Sequence, residues 1–179
     1  MSETLIQLVD ENDVPLRGGT MDEAQLEGCW HRVTGVMVKD SRRGKYLLQK
    51  IAPNPYYNGG KWNVTSTGHV DDGESYVDAA AREAEEEMGI VGLNLVEFDA
   101  YRAEKEAYRT GRNRMYKRHY KIFLAEANSD NLVVSPDESE VEEVVWMSGD
   151  ELTRIRAKSP QLFSDTLNRF IDREFPNGN

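Results

Sequence analysis

Residues 68–90 read "GHVDDGESYVDAAAREAEEEMGI", and this stretch carries the clearest helix signals in the sequence. Ser75 is a favourable N-cap with Asp78 three residues later, and Gly89 can end a helix in the left-handed conformation. These signals predict a helix over residues 76–88. At about 100° per residue, one stripe of this helix is predicted to face the core. The stripe comprises Val77, Ala80, Ala81, Ala84 and Met88.

Three glutamates of this helix are predicted to lie close together on the side away from the core. Glu83 and Glu87 are one turn apart with Glu86 between them, whereas Glu85 points elsewhere. Converging carboxylates repel one another unless protons or cations neutralise them, and hard oxygen ligands suit Mg²⁺ or Mn²⁺. The residues alone leave an alternative open, which is a solvated acidic face in which Arg82 bridges to Glu86.

Composition places the chain among ordinary soluble globular proteins. With 179 residues, 39% hydrophobic and 30% charged, residues 1–179 fit one domain. The net charge of −10 argues against a stable nucleic-acid complex or anionic-membrane binding.

The acidic N-terminus has no long apolar run, which predicts a cytoplasmic protein without a signal peptide. Cys29 is the only cysteine, so no intramolecular disulfide forms, and we interpret it as a core residue.

The rest of the chain alternates strand and helix patterns, which predicts an α+β fold. A strand and a short helix are expected within residues 1–30, and two helices within 150–179. "RVTGVMVKD" and "KYLLQKIA" predict a hairpin, and "NVTSTGHV" predicts one short strand. Three further strands are predicted in "LNLVEFDAYRAE", "YKRHYKIFLAEA" and "VEEVVWM", and "RTGRNRMYKR" is predicted to be a long hairpin connection.

The spacing within residues 68–90 closely resembles the signature of the Nudix hydrolases. It reads Gly68, five residues, Glu74, seven residues, Arg82-Glu83-Ala84, one residue, Glu86-Glu87, one residue, and Gly89-Ile90. Ala84 departs from the family, which usually has a larger aliphatic residue there, and this affects packing more than chemistry. The resemblance implies an α/β/α sandwich around a mixed sheet. It also implies hydrolysis of a nucleoside diphosphate linked to another group, X.

The resemblance also implies residue roles. Metal ligands would be the side chains of Glu83, Glu86 and Glu87 and the backbone carbonyl of Thr67, with Glu74 supporting the metal shell. Glu83 is also a candidate general base, oriented by Arg82. Some members of the family take the base from a later loop, where Glu138 and Glu140 are candidates; the alternative is that both are ordinary loop acids.

A second resemblance covers more of the chain. "LVDENDVPL", "EGCWHRVTGVMV" and "GKWNVTSTGHV" resemble the Nudix branch that contains isopentenyl diphosphate isomerase. That isomerase needs a cysteine immediately before the Gly-His pair, and here Thr67 precedes Gly68 and His69. A hydroxyl does not easily replace a thiolate, so the resemblance favours a hydrolase, with isomerase activity or a non-catalytic diphosphate-binding domain as alternatives.

Two further departures from the isomerase pattern concern its metal ligands and catalytic acids. Its acidic residues on the strand after the long hairpin correspond to Tyr116, Lys117 and Arg118. His31 and His69 match isomerase metal-ligand positions, but the position of a third histidine is taken by Ala24. We therefore interpret His31 and His69 as structural or substrate-facing residues.

Substrate recognition is predicted to come from basic and aromatic side chains. A dense basic cluster consists of Arg109, Arg112, Arg114, Lys117, Arg118 and Lys121. The cluster suits a phosphate clamp, and the alternative is a solvated hairpin. Lys117 and Arg118 lie on opposite faces of a strand, so we expect one of them to contact the substrate. Tyr57 or Tyr56 could stack on a base. The substrate is predicted to be a small diphosphate compound, and a homodimer is left open.

Overall fold

The computed structural model describes residues 4–54, 58–109 and 111–176, and for Arg109 only the backbone. Within these ranges the chain forms nine strands in one mixed sheet and four α-helices. The strands are β1 (Ile6–Val9), β2 (Pro15–Gly19), β3 (Trp30–Asp40), β4 (Lys45–Ile51), β5 (Trp62–Asn63), β6 (Ser66–His69), β7 (Val96–Arg109), β8 (Arg112–Glu126) and β9 (Val141–Ser148). The helices are α1 (Met21–Glu27), α2 (Tyr76–Met88), α3 (Gly149–Lys158) and α4 (Asp165–Glu174), with a 3₁₀ turn at Pro160–Leu162.

The sheet separates two hydrophobic cores. Successive residues of β3 point to opposite faces, so Val36 and Val38 join one core while Met37 joins the other. The first core packs the sheet against α2, and the second packs it against α3 and α4. The predicted α+β sandwich with a mixed sheet is therefore confirmed. None of the helices in the described ranges is long and apolar enough to cross a membrane.

Strand β3 lies between β6 and β8, which both contribute side chains to the site described below. It pairs antiparallel with β6, with Thr34 opposite Gly68, and parallel with β8, with His31 opposite Arg118. Strands β6 and β8 therefore flank β3, and side chains from all three strands can meet on either face.

Helix α2 begins and ends as predicted, and Ala80, Ala84 and Met88 of its predicted stripe are buried, but the stripe is wrong at Val77 and Ala81. Ser75 caps Asp78 N–H, and Gly89 adopts φ 65° at the C-terminus. However, Val77 is 43% exposed, whereas Glu87 is only 7% exposed. The stripe consisted mostly of alanines, whose small side chains fix the orientation of a helix only weakly.

Strands β7 and β8 form a ribbon longer than predicted. Their pairing runs from Val96 opposite Leu124 to Arg109 opposite Arg112. The prediction that "RTGRNRMYKR" is a long connection is therefore wrong, because most of its residues belong to the strands. The predicted hairpin of β3 and β4 is confirmed, whereas "NVTSTGHV" forms two strands, β5 and β6, instead of one.

Candidate active site

The carboxylates of Glu83 and Glu87 lie against the backbone of β6. A Cβ atom added to Gly68 would overlap the Glu83 carboxylate, so this group rests directly on the glycine. Glu87 Oε2 accepts hydrogen bonds from Thr67 N–H at 3.1 Å and from Gln49 Nε2 at 2.7 Å. The prediction that the glutamates face away from the core is therefore wrong for this pair. Glu86, whose side chain is 59% exposed, does face solvent.

Arg82 ties the acidic residues of α2 and the preceding loop together. It donates to both oxygens of Glu74 at 3.1 and 2.9 Å, and to the carbonyl of His69 at 2.9 Å. Its Nη1 donates to Glu83 Oε1 at 2.8 Å and to Glu86 Oε2 at 2.9 Å. These carboxylates raise the pKa of Arg82, so the guanidinium is a permanent cation. Arg82 therefore both bridges to Glu86 and orients Glu83.

Negative charge on the buried pair, Glu83 and Glu87, is unfavourable in the metal-free protein. Burial is the main cause that raises the pKa of Glu83 to about 7; the charges of Glu86 and Glu140 act in the same direction, and Arg82 acts against them. Burial and the charge of Glu83 raise the pKa of Glu87 to about 8. Such a pair favours either a proton or a cation between the carboxylates.

The residues fit a hard divalent cation by their chemistry. Carboxylate oxygens in a buried, negatively charged position are the donors that Mg²⁺ and Mn²⁺ take. Within the described ranges no three acidic, histidine or cysteine side chains already form a metal cluster. Glu86 explains this, because its carboxylate is turned towards Arg82. A change of the Glu86 rotamer would be needed to add it to Glu83 and Glu87.

A cavity of about 200 Å³ lies on the opposite face of β6. We call it the β6 chamber; its polar lining includes Asn63, Thr67, His69, Arg118, Tyr120 and Asp165. Since side chains alternate along a strand, Thr67 and His69 point away from the face on which Glu83 covers Gly68. The chamber and the glutamate pair therefore lie on opposite faces of β6.

Two histidines and an arginine meet at the chamber wall. The rings of His31 and His69 are 5.4 Å apart, and Arg118 Nε lies 3.3 Å from His31 Nε2. Burial and the charge of Arg118 lower the pKa of His31 to about 4 and that of His69 well below its usual value. Both histidines are therefore neutral beside a permanent cation.

Comparison with known proteins fixes the family. The NUDIX domain model matches residues 30–166, most of the chain. The chain belongs to the Nudix family. An uncharacterized Nudix hydrolase of Yersinia pestis is 28% identical over 162 residues, spanning 90% of this chain and 81% of the relative. An isopentenyl-diphosphate delta-isomerase of Burkholderia multivorans is 33% identical over 174 residues, spanning 97% and 93%.

Solved structures agree on the Nudix fold. The crystal structure of a Deinococcus radiodurans protein superposes with a TM-score of 0.73 at 16% identity, covering 96% of this chain and 99% of that one. A MutT NUDIX hydrolase of Burkholderia pseudomallei gives 0.60 at 22% identity, covering 80% and 97%. The prediction of a Nudix hydrolase is confirmed at the level of the family, whose hydrolases generally use a divalent metal.

Among the described side chains, the predicted basic cluster is divided between the two faces of β8. Lys117 Nζ lies 5.8 Å from the ring centroid of Trp30, whereas the neighbouring Arg118 lines the β6 chamber. Arg114 pairs with Asp22 at 2.7 Å, and Lys121 pairs with Glu97 at 2.9 Å. Arg112 is exposed near the ribbon tip. Tyr56, Tyr57 and the side chain of Arg109 lie outside the described residues.

The loop before β9 lies beside the end of α2. The N–H of Asp137 donates to the carbonyl of Glu87 at 2.9 Å, and the carbonyl of Glu140 accepts from Ala52 N–H at 2.8 Å. Glu140 is exposed but close enough to raise the pKa of Glu83. Glu138 is also exposed, and no pairing of its side chain is described. Of these two predicted base candidates, Glu140 is the one electrostatically coupled to the glutamate pair.

Sequence reasoning missed two residues that hold the site in place. Gln49 is 2% exposed and donates to Glu87, and Asn63 Nδ2 donates to Thr67 Oγ1 at 3.0 Å. Asn63 Oδ1 in turn accepts from Ser164 Oγ at 2.6 Å. The available signal was a polar residue within an otherwise apolar strand, because a buried amide requires partners.

Proposed function

We propose that this Nudix protein catalyses the Mg²⁺-dependent hydrolysis of a diphosphate linkage in a nucleoside diphosphate-X or a similar small compound, with Mn²⁺ as the other candidate cation. The observation that carries the proposal is the buried pair Glu83 and Glu87, pressed onto β6 with Arg82 alongside. Burying two neighbouring carboxylates costs stability, and a divalent cation removes that cost. We further propose that residues 1–179 act as one Nudix domain.

The proposed roles combine the family resemblance with the hydrogen bonds of Arg82 and Glu83. Glu83, Glu86, Glu87 and the backbone carbonyl of Thr67 would hold the cation. A bound divalent cation would neutralise the diphosphate and stabilise the charge that develops on its bridging oxygen. Arg82 holds Glu74 in place and fixes Glu83 through Oε1.

The general base is proposed to be Glu83, with Glu140 as the second candidate. A carboxylate whose pKa lies near neutrality accepts a proton from water more readily than an ordinary glutamate does. In the metal-free protein, burial moves the pKa of Glu83 in that direction, and Arg82 limits the rotation of its carboxylate. Glu140 could act from the loop before β9, because its charge already acts on the buried pair.

Isomerase activity is the rival function, because isopentenyl-diphosphate delta-isomerases are among the similar proteins. Two features favour hydrolysis instead. Thr67 places a hydroxyl where the isomerase resemblance requires a thiol. Arg118 adds a fixed positive charge to the β6 chamber, which disfavours positive charge on a carbon atom bound there. The intact charged positions of the signature likewise disfavour a non-catalytic binding domain.

The proposal is tested with a panel of diphosphate compounds in Mg²⁺, read as phosphate release after phosphatase coupling. We expect Glu87→Gln to lower turnover by about two orders of magnitude or more, as loss of a preorganised electrostatic stabiliser does. Glu85→Gln is the matched control, because Glu85 lies on the same helix away from the buried pair. Equal Mg²⁺-dependent turnover by wild type and Glu87→Gln would refute the assignment.

The same panel includes isopentenyl diphosphate, with products separated by chromatography. We expect no dimethylallyl isomer above background. Isomer formation at an enzymatic rate that depends on Thr67 would replace the hydrolase proposal with the isomerase.

A further inference from the structure

The β6 chamber is separate from the glutamate pair although the two are adjacent. Gly68 faces Glu83, so Thr67 and His69 face the chamber. Val33 of β3 pairs with His69 on one side and with Tyr120 on the other, which continues the chamber wall across three strands. A group bound in the chamber would therefore lie across β6 from the proposed cation.

Arg118 gives the chamber a positive charge in a fixed position. Its Nε donates to His31 Nε2 at 3.3 Å, and its Nη1 donates to the hydroxyl of Tyr120 at 3.2 Å. Its guanidinium also lies 4.9 Å from the ring centroid of Tyr116. An arginine remains charged at every physiological pH, and these contacts hold its planar fork at the wall.

The hydrogen bonds of His31 require a neutral ring. The carbonyl of Cys29 lies 3.2 Å from His31 Nδ1, so this nitrogen carries the proton. His31 Nε2 then accepts from Arg118 and has no proton of its own. The histidine therefore orients the guanidinium without adding a second charge.

Two polar groups of the chamber residues have hydrogen-bonding capacity that the described residues do not use. His69 Nε2 is buried and has no hydrogen-bond partner within the described part of the chain. Thr67 Oγ1 accepts from Asn63 Nδ2, which leaves the hydroxyl proton of Thr67 to donate elsewhere. Buried polar atoms are normally satisfied, so an unsatisfied one in a charged cavity points to a ligand or water.

Asp165, the acidic residue of the described lining, pairs with a lysine. Its side chain is 65% exposed, and its Oδ2 accepts from Lys105 Nζ at 3.2 Å. Asp165 therefore lies at the rim, where solvent and Lys105 screen it.

We propose that the β6 chamber binds an acidic group, either a carboxylate or a phosphate, carried by the X part of the substrate. The guanidinium of Arg118 would pair with this anion, while Thr67 and His69 would supply neutral hydrogen bonds. The link to X rests on the proposed function, whereas the anion site itself rests on the geometry of the chamber. Arg118 would thus determine specificity towards compounds with an acidic X.

The test is a titration of the full chain with inorganic phosphate, and separately with acetate, in EDTA. The ¹⁵N signals of the imidazole rings are followed by NMR, since the chain has three histidines. We expect saturable shifts of His31 and His69 in the wild type. Arg118→Met should weaken anion binding at least about tenfold, and Arg118→Lys should weaken it less, because lysine keeps the charge but lacks the fork. The anion that binds more tightly identifies the acidic group.

Lys117→Met is the matched control, because it removes the same charge from the neighbouring position on the other face of β8. It should bind the anions as the wild type does, and urea unfolding should show that the variants are folded. Absence of saturable shifts in the wild type would overturn the proposal. Equal weakening by Lys117→Met and Arg118→Met would do the same. Because the titration is run in EDTA, it tests anion binding independently of the metal-dependent reaction. Anion binding in EDTA, together with no hydrolysis of the diphosphate panel in Mg²⁺, would refute the proposed function and leave the chamber proposal standing.

Discussion

Glu87 shows how one residue links the stability of this protein to its proposed chemistry. Its carboxylate is 7% exposed and is held by Thr67 N–H and Gln49. Two hydrogen bonds do not compensate for burial beside Glu83, so the pKa of Glu87 rises to about 8. At neutral pH the metal-free protein therefore binds a proton here that an unfolded chain releases.

The pH dependence of this effect has a definite sign. The folded-state pKa of Glu87 lies above the usual 4.5, so its contribution to stability is lost as the pH rises through about 8. Glu83, with its pKa raised to about 7, acts in the same direction. His31 acts in the opposite direction, because its pKa is lowered to about 4 and its contribution is lost as the pH falls below 6.5. Above pH 6.5 the pH dependence of the free energy of unfolding therefore reports the two glutamates and not His31.

We predict that Glu87→Gln stabilises the metal-free protein at pH 8. In EDTA, its free energy of unfolding in urea should exceed that of the wild type by about 1–3 kcal/mol, because the buried charge is removed while the shape is kept. Mg²⁺ should stabilise the wild type and not the variant. Glu85→Gln, with its exposed side chain, should match the wild type in both conditions. A Glu87→Gln protein less stable than the wild type at pH 8 in EDTA would contradict this account.

At the scale of elements, the contact between α2 and β6 builds the site. Ala79, Ala80 and Ala84 are fully buried, and such small residues allow the helix to approach the sheet closely. Gly68 is then required, because any side chain at that position would occupy the space of the Glu83 carboxylate. The signature glycine and the small residues of α2 thus serve the same close contact.

We predict that Gly68→Ala displaces the Glu83 carboxylate and lowers Mg²⁺-dependent turnover at least about tenfold, with a loss of about 1–3 kcal/mol in stability from overpacking. Turnover and urea unfolding measure the two effects. Gly18→Ala is the control, because the atoms nearest to a Cβ there belong to the side chain of Asp72, which can move. Wild-type turnover in Gly68→Ala would show that the position of Glu83 does not matter.

The ends of α2 could be predicted from sequence, but its orientation could not. Local capping signals at Ser75 and Gly89 fix where the helix begins and ends, since both act through neighbouring backbone groups. Which face of α2 is buried depends on its contacts with β6. The position of β6 is set by its pairing with β3, which is distant from α2 in the sequence. Similarly, strand alternation predicted that Lys117 and Arg118 face opposite ways, but only the register with β3 places Arg118 beside His31.

At the scale of the whole molecule, the two proposed sites lie on opposite faces of the sheet. The glutamate pair lies on the α2 face, and the β6 chamber lies on the face covered by α4. The Nudix signature made the fold and the glutamates predictable, because its spacing is local. The hydrogen-bond partners of Gln49, Asn63 and Ser164 were not predictable, since separate elements bring these residues to the site. The single domain over residues 1–179 stays a prediction.

The central claim is that Glu83 and Glu87 form the centre of a divalent cation site. The most direct measurement is a Mn²⁺ titration of the full chain, in which free Mn²⁺ is followed by electron paramagnetic resonance. We expect the wild type and Glu85→Gln to bind Mn²⁺ equally, with Mg²⁺ competing. The double variant Glu83→Gln/Glu87→Gln should bind Mn²⁺ at least about tenfold more weakly, since both charged ligands are lost. Equal Mn²⁺ binding by the double variant and the wild type would contradict the account.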